Sequence, residues 1–488
     1  MKSLPRLFFC LIFLGCSPVF AQDLIYPVPQ TIRGLVQEAE RLRKEQRGES
    51  SENLSENSLA EAVKMGAQLR SRWPKEPEID RQQIEAQGIR TLSGKYLTLF
   101  TDLEPMPAVD ELPQVFDLAV VEYGRYFHLD PENYESWKIT GCLIKDRTKF
   151  QQAGLMQGAP SFQHGYSRGY RLWLNDQPSD YYRRHLLIHE GVHAFMNFVF
   201  GTGGPPWYME SMAEYLGTHQ WSDGKLVLGV MPRSAEDVPM WGRIKIIRDA
   251  VAANERKSPD AIFRFGPTVY DQPTGYAWSW GIGYFLDNHP RYQERFRAVV
   301  PYLTFPDFTD RLYRSLENDW TFLNNEWVDF TAQLTFGYRL DRTVIDFTPG
   351  KPLEGKAVMV SVDAARGWQN SGIALQKGRK YDVMAKGRVQ LAKTPKIWWS
   401  EPDGVTVRYH QGMPLGLLIG AVVPDEPMSS PDATPPGIVF QTPFKIGSRT
   451  EISPETDGTL YLRINDSPAE LDDNAGTLNV MVISGSTD

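Results

Sequence analysis

Two histidines four residues apart enclose a carboxylate in the run His185-Leu-Leu-Ile-His189-Glu190-Gly191-Val192-His193-Ala-Phe-Met. On a helix, His189 and His193 project from one face and can grip one Zn²⁺. Glu190 follows the first ligand and reaches toward the open coordination position, where it can take a proton from water. A second pair of carboxylates follows, Glu210 and Glu214, in the segment Pro205-Pro206-Trp207-Tyr208-Met209-Glu210-Ser211-Met212-Ala213-Glu214-Tyr215. One of them can complete a His₂Glu set that leaves a coordination position free; the other can accept the N–H of a liganding histidine. Histidines at this spacing also occur on helices that bind nothing. The nearby pair of carboxylates, also four apart, is what turns the pattern toward a metal.

These side chains need two neighbouring helices. Ser179 or Asp180 can cap the first. Leu186, Val192, Phe195, Met196 and Val199 give it a buried side, and Gly201-Thr-Gly-Gly-Pro-Pro ends it. The second begins on proline and stops at Gly217. Upstream, Lys95 to Thr101 alternates as a strand, residues 113–128 read as a helix, and Trp137 to Ile144 and Tyr170 to Asn175 read as strands. Strands first and helices after them predict an α+β fold.

H-E-x-x-H followed by a turn and W-x-x-E-[G/S]-x-A-E-Y resembles the gluzincin superfamily of metallopeptidases, with Ser211 where glycine is usual. The resemblance implies a zincin-like α+β peptidase domain, with Glu210 as third zinc ligand and Glu214 in the outer shell. It also implies that the strand before the metal helix, at Arg171, Leu172 and Trp173, pairs with the substrate backbone. A donor to the developing oxyanion is required as well. Tyr208, Tyr270, Tyr276, His164 and His219 are candidates, and no signal singles one out. The helix from Tyr276 to Leu286 reads as apolar packing behind the site, and His185 as an outer-shell group. The chain has no G-x-M-x-N-like strand of the kind that holds a free amine, which favours an endopeptidase.

Beyond the turn-rich segment at residues 346–352, short alternating stretches dominate: VMVSVD, YDVMAKGRVQL, GVTVRYH, LGLLIGAVV, TLYLRIND and TLNVMVIS. They predict an all-β sandwich or jelly roll. Between the last two lies an acidic loop with Asp466, Glu470, Asp473 and Asn474, whose oxygens suit Ca²⁺. Gly367-Trp368, Pro414-Leu415-Gly416 and the N-D…D-N-x-G loop resemble the bacterial calcium-dependent galactophilic lectin family. That likeness implies side-chain oxygens from Asp466, Asp473 and Asn474, and at Glu470 a backbone carbonyl. The family's sugar-contacting groups do not align between Trp398-Trp399 and Pro414.

At 488 residues the chain exceeds one ordinary domain. The reading divides it into a signal peptide at 1–21, a helical extension at 22–90, a metallopeptidase domain at 91–345 and a lectin-like β domain at 350–488. Lys2 and Arg6 precede the apolar run Leu7 to Leu14, and Val19-Phe20-Ala21 supplies a small-residue cleavage pattern. A lipoprotein box at Cys16 is the competing reading. A secreted, periplasmic or cell-surface location follows. Cys142 is then the one cysteine certain to remain, which rules out an internal disulfide. A net charge of -8 with no basic stripe argues against nucleic acid. The expectation is a secreted zinc peptidase acting on peptide or protein, with Ca²⁺ and a glycan as further partners of the β domain. The alternative is a surface glycan-binding protein on a degenerate peptidase scaffold.

Overall fold

The computed structural model describes residues 57–73, 76, 78–353, 357–424 and 439–485. The signal-like run and the first of two expected N-terminal helices, LVQEAERLRKEQ, lie outside these residues. The second expected helix forms α1 (Asn57–Arg70). No helix among the described residues is long and apolar enough to cross a membrane.

The alternating segments of the first region pair into one sheet. It consists of β1 (Arg90–Ser93), β2 (Leu97–Thr101), β3 (Ile139–Ile144), β4 (Gly165–Arg168) and β5 (Arg171–Asn175), in the order β1-β2-β3-β5-β4. The central strands β2, β3 and β5 run parallel, and β1 and β4 are antiparallel edges. Side chains leave a strand alternately to opposite faces. Leu97, Leu99, Leu143, Leu172 and Leu174 enter the main core, while Phe100, Cys142, Ile144 and Trp173 enter a smaller one on the other face.

The helices cover the main-core face. They include α2 (Leu112–Tyr126), α3 (Asp180–Phe200), α4 (Pro206–Gly217), α5 (Arg243–Ala252), α6 (Pro273–Asn288) and α7 (Trp320–Gln333). A hairpin of β6 (His219–Ser222) and β7 (Lys225–Leu228) follows α4. Ser179 caps α3 by accepting the amide of Tyr182 at 3.2 Å, and Gly201 ends it in the left-handed region at φ 76°. Phe195 of α3 is ringed by Tyr123, Phe127, Tyr134 and Trp137 at 5.4–6.3 Å between centroids. Removing such a side chain costs about 3–5 kcal/mol, so α3 is among the most firmly held elements of the fold. Gly66 lets α1 lie against the end of α3 at Val199, where a β-carbon would strike the backbone.

Past Asp346 strands dominate the described residues. One sheet contains β8 (Ala357–Asp363), β10 (Tyr381–Gly387), β15 (Arg449–Ile452) and β17 (Thr477–Ser484) in the order β15-β10-β17-β8. The other contains β9 (Gln369–Leu375), β13 (Asp403–His410), β14 (Met413–Val423) and β16 (Gly458–Ile464) in the order β13-β14-β16-β9. Two-residue strands at Lys351–Pro352 and Phe444–Lys445 extend this second sheet. A side pair joins β11 (Val389–Ala392) to β12 (Trp398–Ser400). The two sheets share a core of Val362, Ile373, Val383, Leu418, Leu460, Leu462 and Val480. Strand β16 is buried along its whole length. Leu460, Leu462 and Ile464 face this inner core, while Tyr461 turns outward against Ile345, Trp368 and Phe440.

Candidate metal centre

Helices α3 and α4 bring three donor atoms into a nearly equilateral triangle. Nε2 of His189 and Nε2 of His193 are 3.1 Å apart, and each lies 3.4–3.5 Å from Oε2 of Glu210. All three residues are buried. Zinc binds nitrogen and oxygen at about 2.0–2.2 Å, and a tetrahedron of such bonds separates neighbouring ligand atoms by about 3.3–3.6 Å. The donor spacing therefore fits one ion. The hydrogen-bond accounting points the same way. Glu210 Oε2 has no hydrogen-bond partner in its buried position, and an orphaned buried carboxylate oxygen is costly.

Glu214 stands one turn beyond Glu210. Its Oε1 lies 3.5 Å from Nδ1 of His189, and its Oε2 lies 3.6 Å from Nε2 of His185. A carboxylate at Nδ1 favours the tautomer that leaves the Nε2 lone pair free for a metal. Arg243, the first residue of α5, grips both Glu214 oxygens at 2.8 and 2.9 Å. Burial opposes the negative charge on Glu214, but Arg243 and His185 outweigh it and hold the carboxyl well below the usual range. His185 is fixed by its own contact, Nδ1 to the Gly217 carbonyl at 2.9 Å. It is fully buried. His185, His189 and Glu214 form a second cluster of metal-binding types, but Arg243 already supplies a cation to that carboxylate.

Glu190 points from α3 toward β4. A β-carbon on Gly165 would lie 2.8 Å from Glu190 Oε1, so only glycine admits this close approach. Burial raises the Glu190 pKa; His193, His189 and a hydrogen bond from Ser167 act against that rise. A buried carboxylate of raised basicity is what a general base near neutral pH requires.

The strand expected to hold substrate needs correction. Arg171, Leu172 and Trp173 belong to β5, which is hydrogen-bonded to β3 on one side and β4 on the other. No backbone edge is left there for a peptide. Arg171 is paired with Glu76 at 2.5 Å, Leu172 and Trp173 are buried, and the Trp173 indole donates to the Leu155 carbonyl. Among the described residues the outermost strand on this side is β4, Gly165–Arg168, beside Glu190. Its four residues carry no apolar alternation, so the pattern that finds strands passes over it.

Among the expected oxyanion donors, Tyr276 is in ring contact with His189 of the donor triangle. Its ring centroid is 6.1 Å from that of His189. Burial, then Glu210, Glu214 and Glu190, push its pKa well above the ordinary value, which keeps the hydroxyl protonated. Tyr276 therefore departs from the expectation that its helix only packs behind the site, although Trp278 and Trp280 do enter the core. Tyr270 stacks edge-on against Tyr276 at 5.2 Å and shares a hydrogen bond with Ser279. Tyr208 is enclosed by Phe296 and Phe308. His219 stacks on Tyr181 at 4.6 Å, and burial lowers its pKa to about 3. Both are packing groups. His164 contacts Tyr182 at 6.3 Å.

In the β region the acidic loop between β16 and β17 divides. The Asn474 amide donates to Asp466 Oδ2 at 2.9 Å and to the Ala364 carbonyl at 3.1 Å. Asn474 Oδ1 and Asp473 Oδ1 are buried with no hydrogen-bond partner. Burial lifts the Asp466 pKa to about 6, with Glu470 adding to the rise. These orphaned oxygens fit a cation. The Glu470 side chain does not join them: both its oxygens accept from Arg408 Nη2 at 2.7 Å. A fixed positive charge already holds its carboxylate, which leaves the backbone carbonyl as the group expected of Glu470.

No family model matches the chain, and no curated protein matches it. A solved structure described as "EclA N-terminal domain; PllA-like lectin" is similar to it at 20% identity, over 27% of this chain and 98% of that chain, with a TM-score of 0.19.

Proposed function

We propose that this chain is a zinc-dependent peptidase with a zincin-like peptidase region, exported from the cytoplasm, in which Glu190 is the general base. The observation that carries this reading is the His189–His193–Glu210 donor triangle at tetrahedral spacing. Zinc held there would supply Lewis-acid activation of water and of the scissile carbonyl. The remaining work falls to the chain itself. An extended peptide substrate lies along β4, beside Glu190. Glu190 takes a proton from the attacking water as its oxygen bonds to the carbonyl carbon. The same carboxyl then gives that proton to the amine nitrogen as the C–N bond breaks. The Tyr276 hydroxyl donates to the carbonyl oxygen as charge builds on it. The lack of a G-x-M-x-N-like strand to hold a free amine suits an endopeptidase.

A second reading concerns the β region, proposed as a jelly roll that holds Ca²⁺ with Asp466, Asp473 and Asn474. The orphaned Asp473 and Asn474 oxygens support it. The exposed aromatics Trp399 and Tyr409 offer faces on which a sugar could stack. In this proposal the β region directs the peptidase to glycan-bearing targets. A scaffold that only binds glycans has no need of a buried base beside the donor triangle.

Zinc content and cleavage of a quenched peptide library, compared between wild type and Glu190→Gln, test the main reading. The variant should load zinc fully and lose about 10²–10⁴-fold in kcat/KM. Equal cleavage by both proteins would remove the enzyme.

A further inference from the structure

The acidic loop faces the helical region as well as its own cation pocket. The carbonyl of Pro468 accepts the Arg339 amide at 3.1 Å. Asp472 pairs with the guanidinium groups of Arg339 and Arg342. Arg463, buried on β16, donates to the Asp466 carbonyl at 2.6 Å and to the side chain of Gln333, the last residue of α7. Gln333 in turn donates to Asp329 at 2.6 Å. Every one of these loop groups lies between Asp466 and Asp473, the stretch whose ends would grip calcium.

From this joint the backbone bonds continue toward the donor triangle. The Gly337 amide donates to the Pro232 carbonyl at 2.7 Å. Two residues before Pro232, the Val230 amide donates to the Thr218 carbonyl at 3.2 Å. The Thr218 amide bonds back to the carbonyl of Glu214 at 3.1 Å. Helix α4, which carries Glu210 and Glu214, thus ends on a segment tied to residues 337–339, and those are tied to the acidic loop.

We propose that calcium in the 466–474 loop is an effector of the zinc site, acting by fixing the joint at residues 333–343. The proposal rests on the calcium reading given above. Without a cation, the buried Asp473 and Asn474 oxygens lack partners, so the loop opens locally at low cost. An open loop no longer holds the Pro468 carbonyl or the Asp472 carboxylate in place for Arg339 and Arg342. A bound ion ties the two ends together and restores those acceptors. The coupling must be reciprocal: zinc at His189, His193 and Glu210 tightens calcium by the factor with which calcium tightens zinc.

Hydrogen exchange on the full chain, stripped of zinc and compared with and without calcium, tests this residue by residue. With calcium, the amides of Arg339, Gly337, Val230 and Thr218 should exchange about tenfold more slowly, while those in α2 stay unchanged. The Arg339→Gln, Asp472→Asn double variant should still bind calcium by calorimetry, yet show slower exchange only within residues 466–474. Should that variant fail to fold, the wild-type comparison decides alone. Calcium binding in wild type with protection confined to the loop would overturn the coupling and leave the calcium site standing. Absence of calcium binding would overturn both.

Discussion

Arg243 closes both oxygens of Glu214, with Nε 2.9 Å from Oε2 and Nη2 2.8 Å from Oε1, in a pair buried at both ends. The pair stands directly behind His189 and His185 and so fixes the carboxylate on which their orientation depends. Breaking one half of such a pair strands a buried charge, at a cost of about 3–5 kcal/mol. Arg243→Ala should lose that much stability in denaturant titration. Where the protein remains folded, zinc affinity should weaken about 10–100-fold, as loss of an outer-shell partner does. Unchanged zinc affinity in a folded variant would show that Glu214 needs no anchor.

Zinc uptake should be steeply pH-dependent. In the metal-free protein, burial disfavours charge on His189, but Glu210, Glu214 and Glu190 outweigh it and raise the pKa to about 9. A metal must displace that proton. Between about pH 6 and pH 8, apparent zinc affinity should therefore fall about tenfold for each unit of acidification. Binding near neutrality should release about one proton, measurable by calorimetry in buffers of unequal ionisation enthalpy. The sign for stability runs the other way in the apo protein. Because the folded pKa is raised, the stabilisation is complete below the ordinary value of 6.5 and is lost as pH climbs through about 9. An apo melting temperature that rises over that window would contradict the assignment.

Tyr276→Phe removes one hydroxyl and little else, since the ring remains to pack on Tyr270 and His189. Loss of one oxyanion donor lowers kcat by about 10²–10³-fold. KM, zinc content and melting temperature should stay near wild type. A variant that loses stability and keeps kcat would return Tyr276 to a packing role.

Helices α3 and α4 were legible because spacing and apolar periodicity agree there. His189 and His193 repeat at the helical interval, and Phe195, Met196 and Val199 mark the buried side. The acidic loop was legible as a cluster of oxygens, but the partner of the Glu470 side chain was not. Its partner Arg408 is 62 positions away and meets it only through strand pairing. Arg243 escaped notice for the same reason, being 29 positions from Glu214. Strand β5 looked like an edge because it directly precedes the metal helix. Its true neighbour, β4, is four residues long and only partly buried, so neither alternation nor hydrophobicity announces it.

Gly165 offers the sharpest test of how β4 serves the base. The residue has no left-handed backbone, so alanine is acceptable to the main chain and its effect must come from contact. The added methyl would lie 2.8 Å from Glu190 Oε1 and 2.9 Å from its Cγ, closer than atoms can stay. The carboxylate has to move, while the metal ligands on the same helix turn do not. Displacing a reacting group by about 1 Å costs on the order of 10²-fold in rate. Gly165→Ala should therefore lose kcat/KM by roughly that factor with zinc content intact. If the loss comes through Glu190, adding Gly165→Ala to Glu190→Gln should lower the residual rate no further, the non-additivity expected of groups in contact. Full additivity in that double-mutant cycle would mean that Gly165 acts on substrate binding along β4 and not on the base.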